Sequence, residues 1–497
     1  MNEESLNHYS QKDLGKLIER GVHIPNLNLV NITRDVRLEN IAPGSTIYPF
    51  VRITGSKTQI HSGARIGVRG PVILENSFIG ENAVIGDLGQ VTLIDTVVGA
   101  KSVLGAGVAE QAVFLGKESM VNDFTTGYGF RVRKGSLYEE DASSAQHTDT
   151  KMTILFPWAT LGSDINFCDA LLAGGTGPEL GSFSEVGSGT IHFNYSIRGD
   201  KATASLFGDV LQGVFLDQER LFIGGNNSLL GPIKADFGAM TAAGARIKGK
   251  LPKGLNYGHS LPKGTVDYDA RIFSGVSGIV NNQVNVLAEL TALANWYKQV
   301  RINCAAQTPE QKLLYESGLR MVELNYQERL DQLRRYVELL ENSVMLLESM
   351  QASKKEISEQ KYLLSRWPKL GSEFKNLEKF ETQIPDSLKE ASYALGAPYY
   401  KTILTVILPS AKSGIISGVL LGVARISGET APLLFTAFGN PFMNTNIFKS
   451  VNSLPLLIFN YATSPYDDWQ MLAWGASLLL VLFVLGLSLL AKVVNRS

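Results

Sequence analysis

Cysteine is scarce: the 497 residues hold two, Cys168 and Cys304. They stand far apart and outside any metal-ligand spacing, so neither a disulfide framework nor a zinc site is expected, and both read as buried thiols. A dominant charge is missing too. Lys and Arg number 46 and Asp and Glu 47, for a net charge of -1, which leaves no basic footprint for nucleic acid and no acidic tail. The opening MNEESLNHYSQKDLGKLIERG lacks the apolar core of a signal peptide, so the first several hundred residues are expected to stay cytosolic. The length suggests about three domains. What is present falls into a polar, Gly-rich first half and a lipid-soluble end.

A short amphipathic helix is expected over 14–20, ended by Gly21. From Ile41 the text becomes short apolar stubs separated by Gly, Asn, Ser and Asp. Apolar residues recur six apart at Ile60 and Ile66, at Ile73, Ile79 and Ile85, and at Ile233, Ala239, Ala245 and Leu251. Small residues follow several of them, as in Ile66-Gly67 and Ile79-Gly80. A six-residue period predicts a parallel β-helix, in which each turn stacks one inward apolar residue on the next and glycines make the corners. A β-sandwich is the alternative, and it would favour period-two alternation in longer strands. Breaks in the coil are expected near 116–153 and 174–182.

The block Glu185-Val186-Gly187-Ser188-Gly189-Thr190-Ile191-His192-Phe193-Asn194-Tyr195, with Lys201, Thr203, Gly208-Asp209, Ile223-Gly224-Gly225-Asn226 and Leu230-Gly231-Pro232-Ile233, resembles the left-handed β-helix of the hexapeptide transferases. It is most similar to the acetyltransferase half of the bifunctional UDP-N-acetylglucosamine pyrophosphorylases. The resemblance covers about 41–263. It implies a homotrimer, with Asn194, Tyr195 and Lys201 facing a sugar phosphate and acetyl-CoA at a crevice between subunits. The chain departs from that family where the catalytic His belongs: Ser163-Asp164-Ile165-Asn166-Phe167-Cys168-Asp169 has none. Asp164 and Asp169 are poor general bases unless strongly desolvated, and no Gly-rich βαβ unit precedes the coil to carry pyrophosphorylase chemistry.

His192, beside Asn194 and Tyr195, is the candidate catalytic residue, able to bind a sugar hydroxyl or act as base; the alternative is a satisfied structural histidine. Lys201 with Asp200 reads either as a ligand contact or as a solvated corner pair. Gly174-Gly175-Thr176-Gly177 reads as a corner or extruded loop rather than a phosphate cradle, because no helix follows it.

From Val284 the period becomes helical and holds for more than sixty residues. Thr308-Pro309-Glu310 starts a second helix with a cap and a first-turn proline, and such helices are expected to pair or to pack across an oligomer. Charge alternation at Glu328-Arg329 and Arg334-Arg335 reads as a solvated face. A Lys-, Glu- and Ser-rich junction follows, with a break expected at Trp367-Pro368.

Residues 386–429 read DSLKEASYALGAPYYKTILTVILPSAKSGIISGVLLGVARISGE. Glu390-Ala391-Ser392, Gly396 and Leu408-Pro409 resemble the EAA loop of ABC importer permeases, and Gly428-Glu429-Thr430-Ala431-Pro432-Leu433-Leu434 is similar to phosphate permease subunits of the PstA type. The resemblance implies that Glu390, Ala391, Gly396 and Pro409 dock on an ABC ATPase subunit, alongside a second permease subunit and a phosphate-binding protein. Independently, the apolar stretches 413–438 and 469–494 are each long enough for a transmembrane helix in lipid. Lys401 and Lys412 before the first and Lys492 and Arg496 after the second place the loop and the C-terminus in the cytoplasm, and with them the N-terminal domain, at a bacterial inner membrane. Arg425 and Glu429, four apart, read as an intrahelical ion pair or as contacts for translocating phosphate, the second being favoured.

The expected domains are an N-terminal helix and lead-in (1–40), a left-handed parallel β-helix (41–283), a helical oligomerisation segment (284–347), a junction (348–382) and a partial permease with two spans (383–497). Two spans fall short of the five or six such a permease needs, so the chain reads as a gene fusion that joins other subunits, or as the product of a deletion. The alternative function is a sugar-phosphate-related acyl or nucleotidyl transferase, or a non-catalytic trimeric scaffold, with a vestigial membrane tail.

Overall fold

The computed structural model describes residues 7–118, 123–179, 181–194, 203–210, 218–260, 269–350, 354–377 and 454–494. It divides into two compact units, 1–374 and 375–497.

In the first unit, helix α1 (Gln11–Glu19) begins earlier than the expected Leu14 because the Ser10 side chain accepts the Asp13 N–H at its start. It buries Leu14 and Leu17 at the mouth of a parallel β-solenoid of 26 short strands among the described residues. The pairings are parallel and each strand meets the one a turn later: Gln59 pairs with Phe78, and Phe78 with Val97, a step of nineteen residues. In the later rungs Leu137 pairs with Ile154 and Ile154 with Leu171, a step of seventeen. These steps bracket three hexads, so the fold is the coil expected from the six-residue period, consistent with the left-handed hexapeptide form. One expected break is narrower than 116–153. The region 126–155 is regular coil from Thr126–Val132 to Thr148–Leu155, and the irregularity is confined to longer steps such as that from Val113 to Leu137. At 174–182 the step does widen, Ala159 pairing with Ser184, as an extruded loop requires.

The interior is built from stacked columns. Ile60, Ile79, Val98, Phe114, Tyr138, Leu155, Leu172 and Phe207 succeed one another up one column by register, and all are buried. One member of the expected hexads is placed differently: Ile73 faces out at 36% exposure while Leu74 fills the interior. Hydroxyls line part of one corner, where Thr58 Oγ1 accepts from Ser77 N and Ser77 Oγ accepts from Thr96 N, each at 3.3 Å. At the same corner the backbone turns left-handed in successive rungs, at Asn76, Asp95, Gln111, Gly135, Met152 and Asp169. Asn and Asp tolerate that conformation. Gly135 is needed on a second count, because a Cβ there would lie 2.3 Å from Met152 Sδ.

A second column decides the rest of the unit. Phe78, Val97, Val113, Leu137, Ile154, Leu171 and Leu206 are outward neighbours of the inner column by the same pairings, yet all are buried. Their cover is helical. Helix α2 (Val276–Asn295), a π-helical stretch (Trp296–Ala305) and the 41-residue helix α3 (Pro309–Ser349) contribute Val286, Leu287, Leu290, Tyr297, Met321 and Leu333 to the same apolar cluster. The column turns polar at Gln59 below and Lys234 above. Thr308 caps α3 by accepting the Gln311 N–H, and Pro309 occupies its first turn. Helix α4 (Lys354–Leu377) runs through Pro368, so the break expected at Trp367-Pro368 does not occur. Leu363, Leu364 and Trp367 pack on the cluster, and that apolar face offsets the proline's lost hydrogen bond, a penalty of about 3 kcal/mol.

In the second unit, α5 (Leu454–Ala462) and α6 (Asp467–Val494) form a hairpin. Tyr461 and Trp469 are in ring contact at 5.0 Å, and Gln470 Nε2 donates to Ser464 O at 2.9 Å. Among the described residues no helix is long and apolar enough to cross a membrane. The expected span at 413–438 lies outside the described residues. The one at 469–494 coincides with α6, whose side chains are described as far as Gly486.

If helical cover is what Leu137 requires, Leu137→Ala should lower unfolding stability by about 2–4 kcal/mol in urea titrations. Ile73→Ala, outward but uncovered, should cost less than about 1 kcal/mol.

Candidate functional site

His192 occupies an inner-column position: it pairs with Leu229, which pairs with Ile247, and it is 2% exposed. Its Nδ1 lies 2.5 Å from Cys168 O and its Nε2 2.8 Å from Ser205 Oγ, between the rings of Phe167 and Phe207. Burial holds its pKa below the usual value of 6.5, only partly countered by the bond to Cys168 O. A neutral imidazole with both nitrogens engaged has none left for a substrate in this arrangement. Cys168, which the imidazole's partner carbonyl belongs to, is buried and its thiol is pushed up to about 12 by burial, so it is no nucleophile. Cys304, expected to be buried, is exposed at the end of the π-helical stretch.

Asn194 is tied inward. Its Nδ2 donates to Asp169 Oδ2, and its carbonyl accepts from Thr203 Oγ1 at 2.6 Å. Asp169 in turn pairs with Arg329 of α3, Nη2 to Oδ1 2.5 Å, with the two side chains only 3% and 8% exposed. Arg329 is therefore not on a solvated face. The signal was its helical phase, three residues after Tyr326 and four before Leu333, on the buried side of α3. Tyr195 and Lys201 lie outside the described residues, as do Glu390, Ala391, Gly396, Pro409, Arg425 and Glu429. Asn194 is thus the one described member of the set that resemblance implied for sugar phosphate and acetyl-CoA, and its amide is spent on Asp169.

Two more buried carboxylates bind helix to coil. Glu139 Oε1 accepts the Tyr297 hydroxyl at 2.5 Å, while Arg301 reaches Glu139 Oε2 at 3.4 Å and clasps both Glu140 oxygens at 2.6 and 3.0 Å. Burial pushes the Glu139 carboxyl up, and Arg301 opposes it. On α2, Glu289 accepts the Val210 N–H at 2.8 Å, and Asn282 Nδ2 donates to Ala204 O at 2.8 Å. A histidine that sequence reading passed over, His147, sits on the exposed corner with Nδ1 3.1 Å from Asp164 Oδ1 and its ring 5.8 Å from Tyr128. The sequence separates the pair by seventeen residues, one turn of the coil at that level.

The second unit gives the decisive comparison. Residues 376–497 match the family of binding-protein-dependent transport system inner membrane components. The chain is also 52% identical over 109 residues to the phosphate transport system permease protein PstA of Xylella fastidiosa (strain 9a5c), 22% of this chain and 38% of that protein. The PstA of Yersinia pestis is 50% identical over 111 residues, and that of Haemophilus influenzae 49% over 109. The chain spans less than two-fifths of the length of these curated relatives.

Removing either member of a buried ion pair strands the other charge, at a cost of about 3–5 kcal/mol. Arg329→Leu and Asp169→Asn should each destabilise the protein on that scale, and the double variant by clearly less than their sum; an additive cycle in urea unfolding would contradict the pairing. For His192 the folded pKa is lower than the unfolded one, so its stabilising contribution is full above pH 6.5 and is lost as pH falls below it. The stability gap between the unsubstituted protein and His192→Gln should therefore narrow from pH 7.5 to roughly pH 5.5.

Proposed function

We propose that the C-terminal unit is a permease component of a phosphate ABC importer, working with an ABC ATPase subunit, a second permease subunit and a phosphate-binding protein, and that the β-solenoid is its cytoplasmic appendage. The observation that carries this reading is the match to phosphate permeases at 52% and 50% identity over 109 and 111 residues, beside the family match at 376–497. The end of the chain supports it physically. In α6, Leu478, Leu479, Val481, Leu482, Phe483 and Leu485 are each more than half exposed, an apolar surface that water disfavours and lipid does not. No ionisable residue stands between Asp468 and Lys492. The positive-inside bias supports a cytoplasmic EAA-like loop and C-terminus. Glu390, Ala391, Gly396 and Pro409 form the ATPase knob, and Arg425 and Glu429 meet the anion.

For the solenoid, the internal engagement of His192 and Asn194 favours a scaffold over an acyl or nucleotidyl transferase. Ile191 and Phe193, on one face of the strand Ile191–Phe193, are 40% and 48% exposed, and that apolar edge supports self-association as a trimer.

Co-expressed with a phosphate-importer ATPase, the full chain should pellet with membranes, resist extraction by salt and alkaline carbonate, and capture the ATPase in detergent. Gly396→Trp should abolish capture while leaving the chain in the membrane. Recovery of soluble, unaggregated chain after ultracentrifugation would overturn the proposal.

A further inference from the structure

Helix α3 leaves a crevice against the left-handed corner ladder of the solenoid. It opens into a cleft of about 370 Å³ lined by Lys57, Asn76, Asp95, Val97, Gln111, Lys134, Arg320, Met321 and Leu324, within the volume range of small-molecule sites. Its charge is one-sided. Lys57, Lys134 and Arg320 contribute three cations from three different places in the chain, and none has an ion-pair partner among the described residues. Asp95 is the single carboxylate in the lining.

A larger cleft of about 550 Å³ on the same unit shows the contrast. Lys234, Lys250 and Lys253 there face Asp209, Glu219 and Asp236, and Lys250–Asp236 and Lys253–Glu219 already pair at 3.4 and 2.5 Å. That cleft is neutralised by its own side chains; the first is not.

We propose that the cleft between α3 and the corner ladder binds a phosphomonoester with an organic body. Three cations against one carboxylate leave an excess of two positive charges, which matches the roughly two negative charges of a phosphate monoester at neutral pH. Arg320 offers a planar fork for two phosphate oxygens, and Lys57 and Lys134 act as point charges beside it. The amides of Asn76 and Gln111 stand on the corner positions one rung to either side of Asp95, held by the backbone bond of Asp95 N to Glu75 O at 2.9 Å and of Gln111 N to Ile94 O at 2.9 Å. They and Asp95 supply neutral and acceptor groups for hydroxyls. Val97 and Met321 are buried beneath them, an apolar floor that a bare phosphate ion leaves uncovered and a carbon skeleton covers. Two bonds tie the walls together: Asn325 Nδ2, which also donates to Met321 O within α3 at 2.8 Å, donates to Gly135 O at 2.7 Å, and Arg329 pairs with Asp169. The site is therefore formed before a ligand arrives.

The test is calorimetric titration of the full-length chain in detergent with glucose 6-phosphate and adenosine 5′-monophosphate, against glucose, adenosine and inorganic phosphate. At least one phosphomonoester should bind with sub-millimolar affinity, more tightly than inorganic phosphate and its unphosphorylated parent. Lys134→Gln and Arg320→Gln should each weaken that binding by roughly tenfold, and Asp95→Asn should tighten it. Inorganic phosphate binding as tightly as both esters would overturn the organic-body assignment. Absence of binding by either ester, or binding indifferent to Lys134→Gln and Arg320→Gln, would overturn the site.

Discussion

An outward stripe of apolar side chains is the constraint from which the first unit follows. A six-residue coil buries one residue per hexad inside, and its outer residues ordinarily meet water. Here Phe78, Val97, Val113, Leu137, Ile154, Leu171 and Leu206 point out and are nonetheless buried, so the coil is complete only with α2 and α3 laid along it. The polar fastenings sit at the edges of that stripe: Glu139 with Tyr297 and Arg301, Asp169 with Arg329, and Glu289 with Val210 N. Apolar burial supplies most of the adhesion, at about 1.5–3 kcal/mol per large side chain. The buried charges set register, because a helix shifted by one turn would strand each of them.

The period of six made the solenoid legible. It also held the orientation of His192, which stands six residues after the buried Val186 and so belongs to the inward set. Reading it instead through its polar neighbours Asn194 and Tyr195 favoured a catalytic role that its two engaged nitrogens do not support. Arg329 shows the converse. Local charge alternation suggested a wet surface, whereas the helical phase through Val322, Tyr326 and Leu333 places it inside. The outward stripe was hidden because residues such as Val97 and Leu137 precede inner residues and look like ordinary strand text. Only the pairing of rungs reveals that they form a continuous band. Pro368 was read as a terminator from local chemistry, and tertiary packing of its neighbours overrode it.

Function divides along the same line as the structure. The C-terminal part is similar in sequence to phosphate permeases, and α6 shows the exposed apolar surface that a lipid environment would accept. The solenoid offers no assembled transferase centre among its described residues; what it offers is a rigid wall, a helical cover and the charged crevice between them. The crevice exists because the cover exists. Arg320 and Lys134 come from helix and coil respectively, and neither element alone forms the cleft.

The account stands on coil and helices unfolding as one body. Hydrogen–deuterium exchange of the full chain in increasing urea, followed by mass spectrometry, measures this directly by comparing peptides from the strand Thr148–Leu155 with peptides from the centre of α3. The account predicts that both lose protection at the same denaturant concentration and with the same dependence on it. Release of α3 at markedly lower urea, with the strand still protected, would contradict it.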